Sequence, residues 1–365
     1  MRVLLVSTPV GPLGSGLGGG VELTLTNIAK ALVLRGHAVG IIAPKGSQFP
    51  INNGIEVDGA LQITAQVQGR GAPITLPANS VLENMWTCTR DLQQNFDVII
   101  NFAYDWLPFY LTPWFHRPIA HLVSMGSLTD AMDEIIGKTV QNFPGTVGVH
   151  SLAQAATFEF GDRCRCLSNG LDLSGYTFQP QADRALAWVG RIAPEKGIED
   201  AIAAAAQTQI SLRIFGIQPD LAYWQRVCQQ YPQAPIDYRG FLPTHQLQQE
   251  LGQCAALVMT PRWVEAFGNV AMEALACGVP VVAYRRGGPA EIVQDGVTGW
   301  LVEPDSVAGL VAAIARLDEL DRHTCRQQAE ASYSLEAMGG RVEQWLKDIL
   351  TNREAGMEAI SKPDS

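Results

Sequence analysis

Two carboxylates eight positions apart, Glu265 and Glu273, bracket Phe267-Gly268-Asn269 where an apolar run gives way to a helical one. The run 255–259 reads as a buried parallel strand. The run 270–277 reads as a helix that Gly278 closes at its C-terminus. Strand, loop and helix in that order make a βα turn, and ligands of open parallel sheets sit outside such turns. Glu265 falls in the loop, and Glu273 on the helix leans back toward the same mouth. Between them, the backbone N–H groups of Phe267, Gly268 and Asn269 add to the helix dipole and suit a phosphate. An anion cradle flanked by two carboxylates fits a ligand with both phosphate and many hydroxyls, which describes a sugar nucleotide. The plainer alternative is an acid that complements a helix dipole and another on a solvated face.

The surrounding chain favours the first reading. The strand 185–191 runs into Gly190-Arg191-Ile192-Ala193-Pro194-Glu195-Lys196-Gly197, which puts two cations into one βα turn. A guanidinium fork and an ammonium point charge together suit a diphosphate, against the alternative of a solvated charged loop. Near the N-terminus, strand 2–7 is followed by a loop holding Gly11, Gly14, Gly16, Gly18, Gly19 and Gly20, then by a helix over 21–35 with Glu22 at its start. Gly14-x-Gly16-x-x-Gly19 formally matches a dinucleotide fingerprint. However, the glycines start late after the strand, and strand 38–43 ends in Pro44-Lys45 with no ribose-binding acid. A mobile loop closing over a diphosphate or an acceptor fits better.

Further along, the strand 97–101 leads into the aromatic cluster 102–116, which is either core or the wall of a pocket for a flat molecule. Asp105 inside it favours a site, because an unpaired buried carboxylate is costly. His121 lies on the strand 119–123, where a lone histidine is more often structural than catalytic.

The remaining elements are expected as irregular strands or a hairpin at 55–67, a helix at 79–93 and strands at 146–149 and 163–167. A linker follows at 168–183. After it, strands at 185–191, 212–217, 236–241, 255–259 and 279–284 alternate with helices at 197–207, 221–230, 244–254 and 269–277, the pattern of a doubly wound parallel sheet. Helices at 306–317 and 336–350 finish the fold, and the end from Glu354 is expected to fray. The domains are expected at 1–170, binding the acceptor, and 184–335, binding the nucleotide sugar, with 336–355 a helix that crosses back to the first.

The bulk numbers suit that picture. A chain of 365 residues, 47% hydrophobic and 17% charged, holds two ordinary globular domains. Lys and Arg number 26 against 36 Asp and Glu, so the net charge is 26 − 36 = −10, which argues against nucleic acid or an anionic membrane as partner. No apolar run reaches the length of a membrane span, and the start reads as a strand and not a leader, so a cytoplasmic protein is expected. Seven scattered cysteines read as reduced thiols. Cys164-x-Cys166 without nearby partners is a poor metal site, and no Asp-x-Asp occurs, so no metal is expected.

Taken together, Gly18-Gly19-Gly20-Val21-Glu22, His121, Asn169-Gly170-Leu171-Asp172, Gly190-Arg191, Glu195-Lys196-Gly197, the Glu265-x7-Glu273 pair and Gly287-Gly288-Pro289-Ala290-Glu291 through Gly299 span nearly the whole chain. In this order they resemble the retaining glycosyltransferases of family 4, which implies a GT-B fold of two Rossmann-like α/β domains facing a central cleft. The resemblance implies a metal-independent transferase in which Arg191 and Lys196 hold the donor diphosphate and stabilise the leaving charge. It gives Glu273 the ribose hydroxyls and Glu265 the sugar hydroxyls, and places Phe267–Asn269 at the sugar or phosphate. Gly190 belongs to the same diphosphate turn, Gly216 and Leu242 lie beside the base, and His121 meets the donor sugar near its reacting carbon. The glycine loop closes on diphosphate and acceptor. Tyr284-Arg285-Arg286 departs from the family pattern. The N-terminal half has few Lys and Arg, so a small soluble acceptor is expected, and an aromatic wall with Asp105 and Glu22 would suit a flat heterocycle with an amino edge. The chain also looks like the UDP-glucose-dependent glucosyltransferases of tetrahydrobiopterin. A lipid or sugar acceptor, and a related UDP-sugar epimerase, stand as alternatives, and the oligomeric state is left open.

Overall fold

The structure, a computed structural model, describes residues 1–361, with side chains through Arg353. It comprises two compact units. Unit 1 is Met1–Gly170 with the helix Leu335–Ser361, and unit 2 is Leu171–Ser334.

Unit 1 is built on seven strands, β1 (Arg2–Val6), β2 (Ala38–Pro44), β3 (Gly54–Val57), β4 (Val98–Asn101), β5 (Ile119–Leu122), β6 (Val147–Val149) and β7 (Arg165–Cys166). They lie in the order β3-β2-β1-β4-β5-β6-β7, every pair parallel. β1 is flanked on both sides, and Val3, Leu4, Leu5 and Val6 are completely buried, which explains its unbroken apolar run. The segment expected as irregular strands or a hairpin at 55–67 is one parallel edge strand, β3, followed by a loop with a single tight turn at Ala65–Val67.

Unit 2 carries β8 (Ala185–Val189), β9 (Ser211–Phe215), β10 (Ile236–Gly240), β11 (Ala256–Met259), β12 (Val281–Tyr284) and β13 (Gly299–Val302) in the order β10-β9-β8-β11-β12-β13, again all parallel. In both sheets the order of the strands reverses beside the first strand, between β1 and β4 and between β8 and β11. In such sheets the crevice at the reversal is where ligands bind.

Among the elements that the sequence reading left out are two long helices and a strand. The helix Asp130–Asn142 buries Met132, Ile136 and Val140 at four-residue spacing and is capped by the Thr129 side chain. The helix Arg322–Tyr333 is capped by Asp321 and is polar enough that its buried stripe, Cys325, Gln328 and Ala329, gives a weak signal. β13 has only four residues.

The last helix runs to Ser361, past the expected onset of fraying at Glu354, and 362–365 lie outside the described residues. It packs in unit 1. Met338, Val342, Trp345 and Leu346 join Leu25, Ile28, Ala29 and Leu32 of the helix Gly20–Leu34 in one buried cluster. Gly339 permits the close approach, since a Cβ there would stand 3.1 Å from that of Ala31. Arg35 pairs with Glu336 and Glu343 across the same seam, and Trp345 donates its indole N–H to the Gly145 carbonyl at 2.7 Å.

Candidate active site

In unit 2, the turn after β8 and the loop after β11 meet at the sheet's reversal. Lys196 Nζ lies 2.5 Å from Glu265 Oε2, and the same oxygen accepts the indole N–H of Trp263 at 3.0 Å. The ammonium stands 5.2 Å from the Trp263 ring centre, so the indole serves both partners. Trp263 had no assigned role at the level of sequence. Its signal was only its place two residues before Glu265.

The two loops are tied at their bases. Thr260 donates its hydroxyl to the Gly197 carbonyl at 2.7 Å, and Arg262 N–H donates to the Glu195 carbonyl at 2.9 Å. Gly197 has φ +61°, and a Cβ there would sit 2.1 Å from the Thr260 carbonyl oxygen, so this seam admits only glycine. From the β12 side, Gly288 N–H donates to the Glu265 carbonyl at 2.8 Å, and Arg286 donates to the Pro261 carbonyl at 2.8 Å while pairing with Asp305. The unusual Arg286 thus anchors the loop that carries Glu265. Arg191 pairs with Glu195 four residues on, across the same turn. Both cations of the turn therefore face a carboxylate, and a diphosphate arriving there has to compete with Glu195 and Glu265.

Glu273 differs from the other acids. It is 8% exposed on the helix Asn269–Ala276, and no hydrogen bond or ion pair to its side chain occurs among the described residues. Burial pushes its carboxyl up to about 7, and the two groups on which its charge acts, Tyr176 and Cys277, offer no compensating charge. An unpaired carboxylate held this way is costly unless something supplies donors. The helix begins at Gly268, φ +92°, without a side-chain cap, and Phe267 is buried against the Tyr333 ring. Gly190 and Gly216 touch directly. A Cβ on Gly216 would sit 1.9 Å from the Gly190 carbonyl oxygen, while Gly190 N–H donates to Phe215 and Gly216 N–H to Gly240. Leu242 is half-buried just past the edge strand β10.

In unit 1 the aromatic cluster divides. Phe102, Phe109 and Phe115 are core. Tyr104 and Trp106 line a pocket of about 260 Å³, together with Asp105, Gln62, Ile74 and Met132. Burial raises the Asp105 carboxyl above its ordinary range, and Gln62 opposes this by donating its side-chain N–H at 3.0 Å. Trp106 stacks on Tyr110, which meets Trp114 at a 46° tilt, and Trp114 is 60% exposed.

Two expectations fail here. His121 cannot meet a donor sugar, because it is completely buried. Its ring stacks on Phe109 at 4.2 Å, Nε2 faces Thr112 Oγ1 at 2.9 Å and Nδ1 faces the Asn101 amide at 3.2 Å. The Thr112 hydroxyl already donates to the Pro108 carbonyl, so Nε2 carries the proton and Nδ1 accepts. Desolvation drives the imidazole's pKa down to about 3, which keeps it neutral at physiological pH. His121→Ala should lower unfolding stability by about 3 kcal/mol through the cavity and two orphaned polar groups. Urea titration measures the loss, and turnover per folded molecule should stay within a few-fold.

Nor does Glu22 face an acceptor. Its carboxylate is 6% exposed and accepts the N–H groups of Gly14, Gly16 and Gly18. Those amides of the glycine loop point inward, and Gly19 N–H donates to the Gly16 carbonyl. Gly20 opens the following helix.

Among the described residues, no group of three or more His, Cys, Asp or Glu side chains is placed to hold a metal. None of their helices is long and apolar enough to cross a membrane.

Residues 177–334, within unit 2 and less than half of the chain, match the family described as Glycosyl transferases group 1. A D-inositol 3-phosphate glycosyltransferase of Mycobacterium bovis is 36% identical over 175 residues, covering 46% of this chain and 35% of that protein. A glycogen synthase of Mycobacterium tuberculosis is 35% identical over 159 residues, covering 40% of this chain and 38% of that protein. The chain spans half or less of the length of the curated relatives it matches. Among solved structures, Anabaena HepE in complex with UDP and glucose superposes with a TM-score of 0.74 at 19% identity, covering 95% of this chain and all of that one. At that identity the likeness speaks to fold alone, and the fold is the α/β GT-B fold with two Rossmann-like units.

Proposed function

We propose that the chain is a retaining, metal-independent glycosyltransferase that takes glucose from UDP-glucose. The observation that carries this reading is Glu273, a carboxylate buried without a partner on the helix that follows the Glu265 loop. Paired hydroxyls, such as those of a ribose, supply the two donors it lacks. Arg191 and Lys196 take the diphosphate, and the negative charge that develops on it as the glycosidic bond breaks gives their positions a catalytic purpose. Lys196 leaves Glu265 as phosphate arrives, which frees that carboxylate for sugar hydroxyls. Phe267, Gly268 and Asn269 meet the sugar or phosphate, and Gly190, Gly216 and Leu242 border the base. Front-face attack retains configuration without a protein nucleophile, since the acceptor oxygen bonds to the sugar carbon on the face from which the phosphate leaves, and that phosphate oxygen takes the acceptor's proton in place of a protein base. Similarity over unit 2 to Glycosyl transferases group 1, and a structural neighbour whose complex holds UDP and glucose, support the donor class.

The acceptor in this reading occupies the Asp105 pocket of unit 1. Tyr104 and Trp106 offer ring faces, and the Asp105 carboxylate with the Gln62 amide offers a polar edge, a combination suited to a flat pterin such as tetrahydrobiopterin. One observation favours a second reading, an acceptor with an apolar portion. Ile63, Val67, Ile74 and Leu76 on the loop beside the pocket are 42–74% exposed.

Calorimetric titration with UDP, UDP-glucose, GDP-mannose and NAD, with EDTA present, tests the donor. Saturable binding of UDP and UDP-glucose without metal is expected, and NAD alone, or no ligand at all, would overturn the assignment. Turnover with tetrahydrobiopterin and with a lipid alcohol then separates the two acceptor readings.

A further inference from the structure

The loop between β1 and the helix Gly20–Leu34 is folded around one carboxylate. Glu22 Oε2 accepts the N–H of Gly14 at 2.7 Å and of Gly16 at 3.1 Å. Glu22 Oε1 accepts the N–H of Gly18 at 2.6 Å and the Ser15 hydroxyl at 3.3 Å. Backbone amides converging on one anion form a nest of the kind that elsewhere holds phosphate, and charge-assisted bonds of this length are strong ones. Gly14 and Gly16 have φ +90° and +81°, which turns their amides inward. A Cβ on Gly18 would lie 2.9 Å from Glu22 Cγ, so the fit is tight. The nest that the sequence offers to a ligand is filled by the protein's own side chain.

The loop so held supports its neighbours. Leu13 N–H donates to Ser47 Oγ at 2.8 Å, and the Leu13 carbonyl accepts from Gln48 at 2.8 Å. The Pro9 carbonyl accepts the N–H of Gln62 at 3.0 Å. Gln62 in turn donates its side-chain amide to Asp105 Oδ2 at 3.0 Å and to the Thr75 carbonyl at 3.2 Å, at the wall of the unit 1 pocket. We infer that Glu22 is a positioning residue for that pocket. It acts as an internal anion that shapes the glycine loop and, through Pro9 and Gln62, sets the Asp105 edge. The inference rests on the reading of this pocket as the acceptor site.

The test uses the full chain with Glu22→Ala and the near-isosteric Glu22→Gln. The readouts are hydrogen–deuterium exchange over residues 11–20 and steady-state kinetics with UDP-glucose and tetrahydrobiopterin. In Glu22→Ala, amide exchange of the loop should rise by on the order of tenfold or more, as three bonds to a charged acceptor are lost. The acceptor KM should rise while the donor KM holds. Added formate should restore both exchange protection and acceptor KM by entering the vacated nest. Glu22→Gln, which lacks the charge and turns an amide N–H₂ toward the loop's own donors, should lose protection without responding to formate. Unchanged exchange in both variants overturns the inference, as does a loss of protection that formate cannot reverse in Glu22→Ala. Asp105→Asn separates the underlying assignment. An acceptor KM that moves with Asp105→Asn but not with Glu22→Ala removes Glu22 alone, whereas one that moves with neither removes the pocket and the inference with it.

Discussion

Lys196→Ala should cut turnover by about a hundred- to a thousandfold while the protein stays folded. The magnitude is that of a single preorganised charge aimed where negative charge develops. It acts on the chemical step, so kcat should fall more than UDP-glucose affinity. The geometry sharpens the expectation. Trp263 still donates to Glu265 when Lys196 is gone, so the carboxylate stays in place but without its countercharge, 17% exposed beside the incoming phosphates. The loop's fixings, Thr260 to Gly197 and Arg262 to Glu195, use no atom of the Lys196 side chain and survive the substitution. Circular dichroism and thermal unfolding should therefore match wild type. Lys196→Arg keeps the charge but replaces a point donor with a planar fork, and should recover only part of the rate. Near-wild-type turnover in folded Lys196→Ala would remove the leaving-group role from this turn.

Nucleoside affinity should rise as pH is raised through about 7, and Glu273→Gln should abolish that dependence. The folded protein keeps a proton on Glu273 until about pH 7, whereas the unfolded chain releases it near the ordinary value of 4.5. Between those values the native state binds more protons, so its stability falls as pH rises, and a penalty of about 3 kcal/mol is in place above the upper value. Glu273→Gln should flatten this stability profile and be the more stable protein at pH 8. Hydroxyl donors favour the ionised carboxylate, so a ribose bound there lowers its pKa and releases the proton. Titrating uridine, which carries no phosphate to ionise in this range, in buffers of different ionisation enthalpy measures that release. Loss of the carboxylate in Glu273→Ala should weaken nucleotide binding by roughly ten- to a hundredfold. A pH-independent affinity in wild type would count against the ribose contact.

Legibility in the sequence followed the range of the interactions involved. In unit 2, β8, β11 and β12 were readable because each is an unbroken apolar run, whereas β9 and β10, which carry Arg213, Asp237 and Arg239, were readable only from their place between helices of 3.6-residue period. The pairing of Lys196 with Glu265 bridges 69 positions and follows only from β8 lying beside β11. His121 shows the opposite limit. Its type marked it for chemistry, but its depth is set by Phe109, Asn101 and Thr112, which no spacing rule brings to it. Glu22 stands beside the glycines in the sequence. The direction of its carboxylate, into the loop and not out of it, required the φ angles of Gly14 and Gly16.

The helix Leu335–Ser361 has a consequence for how the protein is made. Its Met338, Val342, Trp345 and Leu346 complete the buried cluster around β1 and the helix Gly20–Leu34, yet they are translated after all of Leu171–Ser334. On the ribosome, unit 1 waits with an open apolar face while unit 2, a continuous segment, can emerge and close first. The two ends of that segment are already joined, Leu171 N–H donating to the Tyr333 carbonyl at 2.7 Å. Biosynthesis therefore runs against the order of the chain, with the second-encoded unit maturing before the first, and emergence of the helix that follows unit 2 is the step that completes unit 1.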